Sequence, residues 1–113
     1  MIGSGATPAE NAFEMRLRRI TAAGTNTAVT PVALDPASAV TEFDAGENHT
    51  VEPTYTSNTE LHAMAFNQRS TVQWYAPPYG EIVIPATASN GIGFDTPTAA
   101  TVSIRAMVHV DEE

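Results

Sequence analysis

The sequence predicts an all-β, antiparallel domain, and three observations carry that reading. Apolar and polar residues alternate over short runs, most clearly where Val102, Ile104, Ala106, Val108 and Val110 interleave with Ser103, Arg105, Met107, His109 and Asp111. Breakers recur at Pro31, Pro36, Pro53, Pro77, Pro78, Gly80, Pro85, Gly91, Gly93 and Pro97, a spacing that leaves little room for helices. Lysine is absent, so Thr, Ser, Asn and Gln cover much of the exterior, a composition suited to strands.

Residues 1–10, MIGSGATPAE, read as an arm that is flexible when free and ordered on a partner; residues 11–113 read as a single domain. Two periodicities compete at the junction. Thr7-Pro8-Ala9-Glu10 is a capping-box pattern with Pro at the first helical position, and Phe13, Leu17 and Ile20 follow helical spacing. Yet Phe13, Met15 and Leu17 also alternate with Glu14, Arg16 and Arg18, and an isolated short helix is marginal without a docking face, so the strand is the favoured reading. A loop over 22–26 and an extended segment over 27–34 follow. One helical turn is expected over 35–39, with Asp35 as its cap. Residues 61–66 read as a strand. Residues 67–93 read as a hairpin: a strand over 70–76 with Val72 and Trp74 on its core face, a turn over 76–80 with an aromatic tip, and a strand over 81–84 ended by Pro85. At most one or two short helical turns are expected in the whole chain.

Composition bounds the function. With 113 residues and 42% hydrophobic content the chain suffices for one core and is not compositionally disordered. No apolar run approaches the roughly 20 residues needed to span a bilayer, and the first residues lack the basic and apolar regions of a signal peptide, so a soluble, non-secreted protein is expected. Thirteen acidic residues against five Arg give a net charge of −8, which disfavours nucleic acid and acidic membranes as partners. Without cysteine there are no disulfides or thiolate sites, and stability must come from packing or assembly. Three of the Arg fall at Arg16, Arg18 and Arg19, where the acidic tail Asp111-Glu112-Glu113 is a natural partner if the chain ends meet.

Residues that carry chemistry are sparse. There is no Cys or Lys nucleophile and no Ser in a Gly-x-Ser-x-Gly turn. His49, His62 and His109 sit on different predicted elements without metal-ligand spacing, and read as surface or rim residues. Asp44, Glu47 and Glu52 around Gly46 lack the alternating ligands of a calcium loop and read as a solvated acidic segment. Glu60 and Glu81 are the one carboxylate pair that would suit a small hydrolase. Residues 88–94, ASNGIGF, lack the order of a phosphate loop, and their glycines read as permitting a tight turn. Trp74, Tyr75 and Tyr79 suit either a sugar-stacking platform or a subunit contact. No cofactor or metal is expected.

Several motifs together resemble small structural proteins of tailed bacteriophages: Leu17-Arg18-Arg19-Ile20-Thr21-Ala22, Thr27-Ala28-Val29-Thr30-Pro31, Leu34-Asp35, Asn67-Gln68-Arg69-Ser70 leading into Trp74-Tyr75-Ala76-Pro77, and Ile82-Val83-Ile84-Pro85-Ala86. The resemblance spans residues 16–113. It implies a jelly-roll-like β-sandwich that forms homotrimers and binds the major capsid protein on the capsid exterior as a cement or decoration protein, made in the host cytoplasm and carried in the virion. The chain departs from the pattern at Pro77-Pro78-Tyr79-Gly80, where a Pro-Gly type turn is expected. On this reading the protein is not an enzyme, and Arg16, Arg18, Arg19, Tyr75 and Tyr79 are the candidate interface residues. The alternatives are a carbohydrate- or receptor-binding module and a component of the phage neck or tail.

Overall fold

A computed structural model describes residues 1–4, 11–97 and 104–112 of the chain. Among the described residues the secondary structure is entirely β, with no helix: β1 (Ile2–Ser4), β2 (Ala12–Ala22), β3 (Thr25–Val29), β4 (Ala45–Val51), β5 (Thr54–Asn67), β6 (Gly91–Asp95) and β7 (Ile104–Ala106). All pairings are antiparallel. The strands form a three-stranded sheet in the order β5-β2-β6 and two-stranded ribbons β1-β7 and β3-β4.

The strand reading of Phe13 to Arg18 holds, because the alternation there sorts apolar from charged side chains. Met15 and Leu17 are buried, while Glu14, Arg16 and Arg18 lie on the opposite face. Phe13 pairs with Phe66 and Met15 with Met64 across β2 and β5, and the two phenyl rings stand 4.3 Å apart at 57°. Ile2 of β1 closes the cluster with Met15 and Phe66, and Val72 and Ile104 pack against it. The core therefore lies between the three-stranded sheet and the β1-β7 ribbon, a layering compatible with a β-sandwich. Each such burial is worth about 2 kcal/mol. Within the N-terminal decapeptide, Ile2 is 6% exposed and Ile2–Ser4 pair with Ile104–Ala106, while residues 5–10 lie outside the described residues.

β3 and β4 prolong β2 and β5. Ala22 faces Thr54 and Thr25 faces Val51, so the ladder resumes beyond Ala23 and Gly24. Gly24 holds φ at +70°, and a Cβ there would collide with the Val51 carbonyl and lie 2.7 Å from that of Glu52. Only glycine suits that position. Further back, Arg18 faces Glu60 and Ile20 faces Tyr55, so residues 56–59 bulge out opposite Arg19. Asn58 takes φ 57° at the bulge, and the Thr59 hydroxyl donates to the Thr56 carbonyl at 2.7 Å.

The expected hairpin over 67–93 does not form. Among the described residues, 70–76 hold a single bridge, Val72 to Ile2, and Pro77-Pro78 stops any extension. Val72 packs on the core as expected, but Trp74 does not: it is 42% exposed. Residues 81–84 make no ladder either. The last strand is shorter than its alternation suggests, ending at Ala106, with Met107, Val108 and Val110 exposed; residues 102 and 103 lie outside the described residues. At 35–39 the chain makes a turn rather than a helix: the Ala37 amide donates to Asp35 Oδ1 at 2.9 Å and the Ser38 amide to the Asp35 carbonyl at 3.0 Å, so Asp35 does act as the cap.

Candidate functional site

Two surfaces carry the residues singled out in the sequence. The first is the charged face of the three-stranded sheet. Pairing places Arg16 between Ala63 and Asp95, Arg18 between Glu60 and Gly93, and Ile20 between Tyr55 and Gly91. Arg16 Nε lies 2.8 Å from Glu14 Oε1 and 3.2 Å from Glu60 Oε2. The hydrogen bond to Glu14 holds the guanidinium above its ordinary pKa, so it stays charged. Arg18 Nη1 donates to Asp95 Oδ2 at 3.0 Å, and its guanidinium carbon lies 4.7 Å from the centre of the Tyr55 ring. The Tyr55 hydroxyl donates in turn to the Phe94 carbonyl at 2.9 Å.

Gly91 and Gly93 make this stacking possible. Their expected role was a tight turn; instead they lie in β6, and the turn precedes them, where the Asn90 amide donates to the Thr87 carbonyl at 3.1 Å. A Cβ on Gly93 would stand 3.2 Å from both Ile20 Cγ2 and Tyr55 Cε1, closer than packed carbons normally come. The bare backbone is what lets Tyr55 and Ile20 lie across the strand. Burial raises the Tyr55 phenol above its ordinary pKa of 10.0, with Asp95 and Glu52 acting in the same direction and Arg18 against them.

The Arg residues on this face are thus bonded within the chain, Arg16 along its own strand to Glu14 and across to Glu60, and Arg18 across to Asp95; exposed pairs of this kind add little to stability. Among the described residues the expected pairing of the Arg cluster with the acidic tail is not made; Glu113 lies outside them. Arg16 and Arg18 find carboxylates on their own sheet, Arg19 Nη1 donates to the Val83 carbonyl at 3.0 Å, and Glu112 Oε1 accepts the amides of Glu42 and Phe43 at 2.9 and 3.1 Å. Nothing in composition signalled Tyr55 or Asp95: Tyr55 reaches the site through the β2-β5 register that the bulge displaces, and Asp95 through the unbroken β2-β6 pairing.

The second surface belongs to the irregular stretch 68–90. Trp74 lays its ring 5.0 Å from that of His62, at 33°, leaving much of the indole in solvent. Tyr75 is largely exposed and Tyr79 fully so. The aromatic tip is a turn, closed by Gly80 N–H to the Pro77 carbonyl at 2.8 Å, with φ of Tyr79 at 64°. Pro followed by a residue of positive φ fits a type II turn, whose third position normally holds Gly or Asn. A tyrosine there stores strain on the order of 1 kcal/mol.

The other candidates stay apart. His49 lies on β4, His62 on β5 and His109 beyond β7, and among the described residues no three His, Asp or Glu group so as to hold a metal. Asp44, Glu47 and Glu52 lie on or beside the exposed strand β4. Glu60 is engaged by Arg16, and Glu81 accepts the Tyr79 amide at 3.3 Å. No helix among the described residues is long and apolar enough to cross a membrane. No protein-family model, curated protein or solved structure matches the chain.

Proposed function

We propose that this chain is a non-enzymatic structural subunit that binds and stabilises the outer surface of a phage capsid as a cement or decoration protein. The observation that carries the reading is the aromatic stretch 68–90: Trp74, Tyr75, Tyr79 and Val83 stand exposed on a loop anchored at Val72 to a packed sheet. A loop of that length without strands of its own is most often a binding element, and exposed aromatics are the residues that anchor interfaces. The motif resemblance supplies the capsid, with the major capsid protein as partner, a jelly-roll arrangement of the sandwich, a homotrimer as the assembly, and the virion exterior as its place.

Mass spectrometry of purified virions of the phage that encodes the chain tests this. A copy number comparable with that of the major capsid protein is expected, and Tyr79→Ser lowers it. A handful of copies indicates a neck or tail component, and absence from the virion overturns the proposal. The same aromatics favour one second reading, a carbohydrate- or receptor-binding module. Because Trp74 is half in solvent, glycan binding there would shift its fluorescence, whereas a cement protein gives no such response.

A further inference from the structure

Arg16 and Arg18 are matched by carboxylates of their own sheet; Arg19, one residue on, is not. Strand alternation turns it away from Arg18 and its partners. Its one bond among the described residues runs from Nη1 to a neutral acceptor, the Val83 carbonyl, so its charge and its remaining N–H donors are unmatched.

Arg19 lines a cleft of about 160 Å³ together with Ile20, Thr56, Pro85, Asn90 and Gly91. The pairing explains the opening. β6 begins at Gly91, opposite Ile20, and β5 bulges out over 56–59, opposite Arg19, so β2 is left partly uncovered on both sides at one level. Although the chain has thirteen acidic residues, none lines this cleft. Its polar groups are the guanidinium, the Thr56 hydroxyl and the Asn90 amide, and Ile20 and Pro85 give it apolar sides.

We infer that this cleft takes a carboxylate, namely an acidic side chain of the protein surface on which stretch 68–90 docks. A planar guanidinium with free N–H groups matches a carboxylate two bonds at a time. The apolar sides suit the methylene stem of Asp or Glu. The cleft is well below the roughly 300–1,000 Å³ of sites for drug-sized ligands, and a net charge of −8 disfavours multiply charged ligands more than a single carboxylate. Pro85 and Asn90 belong to the stretch proposed to bind a capsid, so the inference rests on that reading for its partner and adds the chemistry of the contact.

NMR titration of the purified full chain with N-acetylglutamic acid α-amide, which carries one carboxylate, tests the site without virions. With five Arg and no Lys, the side-chain Nε–H signals can be followed one by one. At constant ionic strength the Arg19 signal and the Asn90 and Gly91 amides are expected to shift together and saturate. Arg105, exposed and without an ion pair among the described residues, is expected to stay still. No shift at Arg19, an equal shift at Arg105, or a stronger response to inorganic phosphate overturns the inference. Asn90→Asp places a competing carboxylate in the cleft and leaves Arg19 in position, so it is expected to weaken the titration about tenfold or more; unweakened binding overturns the inference. In virions, Arg19→Gln is expected to lower the copy number severalfold. A copy number equal to that of the unaltered chain overturns the inference and leaves the capsid reading standing. Absence of the unaltered chain from virions overturns the capsid reading, and with it the partner named here, while the titration alone decides whether the cleft binds carboxylate.

Discussion

Ile2 and Val72 exchange both of their backbone hydrogen bonds, Ile2 N–H to the Val72 carbonyl at 2.9 Å and Val72 N–H to the Ile2 carbonyl at 3.0 Å. This bridge fixes the start of the long irregular stretch to the N-terminal strand, and the Ile2 side chain enters the core at the same point. The first residues of the chain are therefore part of the folded body. Ile2→Ala is expected to lower the unfolding free energy by about 2–4 kcal/mol, measured by urea titration. Removal of residues 1–10 costs at least as much, since it takes away Ile2 together with the pairing of Ile2–Ser4 to Ile104–Ala106.

Tyr55 makes stability fall at high pH. Its phenol is raised above 10.0 in the folded chain, so the folded state holds its proton more tightly than the unfolded state does. The contribution is fully present below the unfolded value of 10.0 and is lost as pH rises from there through the raised folded value. Thermal melts on either side of that window are expected to show the loss, and Tyr55→Phe removes that part of the dependence. Arg18→Gln, by deleting the one group that lowers the phenol, moves its ultraviolet titration to still higher pH.

Tyr79 is strained where it stands. Replacing it with Gly in the left-handed position of the turn is expected to raise stability by about 0.5–1 kcal/mol, while removing the ring from the surface proposed to bind a capsid. A gain in melting temperature with a fall in virion occupancy is the expected pair of results.

Asn90 is the one asparagine followed by glycine, and it is exposed in the turn before β6. With no side chain on Gly91 to hinder it, the Gly91 amide nitrogen attacks the Asn90 side-chain carbonyl, ammonia leaves, and water opens the succinimide to aspartate or isoaspartate. Ageing at mildly alkaline pH is expected to convert this residue before Asn11, Asn26, Asn48, Asn58 or Asn67, read by peptide mapping. The new carboxylate would share a groove with Arg19.

The sequence by itself determined the β class and favoured a strand through Phe13 to Arg18, with its two faces, over the competing helix, because alternation over Phe13, Met15 and Leu17 depends only on where each side chain points along an extended backbone. It also determined the Asp35 cap and the tip at Pro77-Pro78-Tyr79-Gly80, whose chemistry is local. Tertiary structure alone decided which extended segments became strands. Residues 70–76 and 81–84 alternate or carry β-formers but among the described residues find no ladder partner beyond the one bridge from Val72 to Ile2, and a strand needs an edge to pair with. The same holds for the clamp of Arg18, Tyr55 and Asp95: the bulge at 56–59 sets the register that brings Tyr55 to Arg18, the β2-β6 ladder brings Asp95, and no local pattern records how many residues a bulge absorbs or which strands pair.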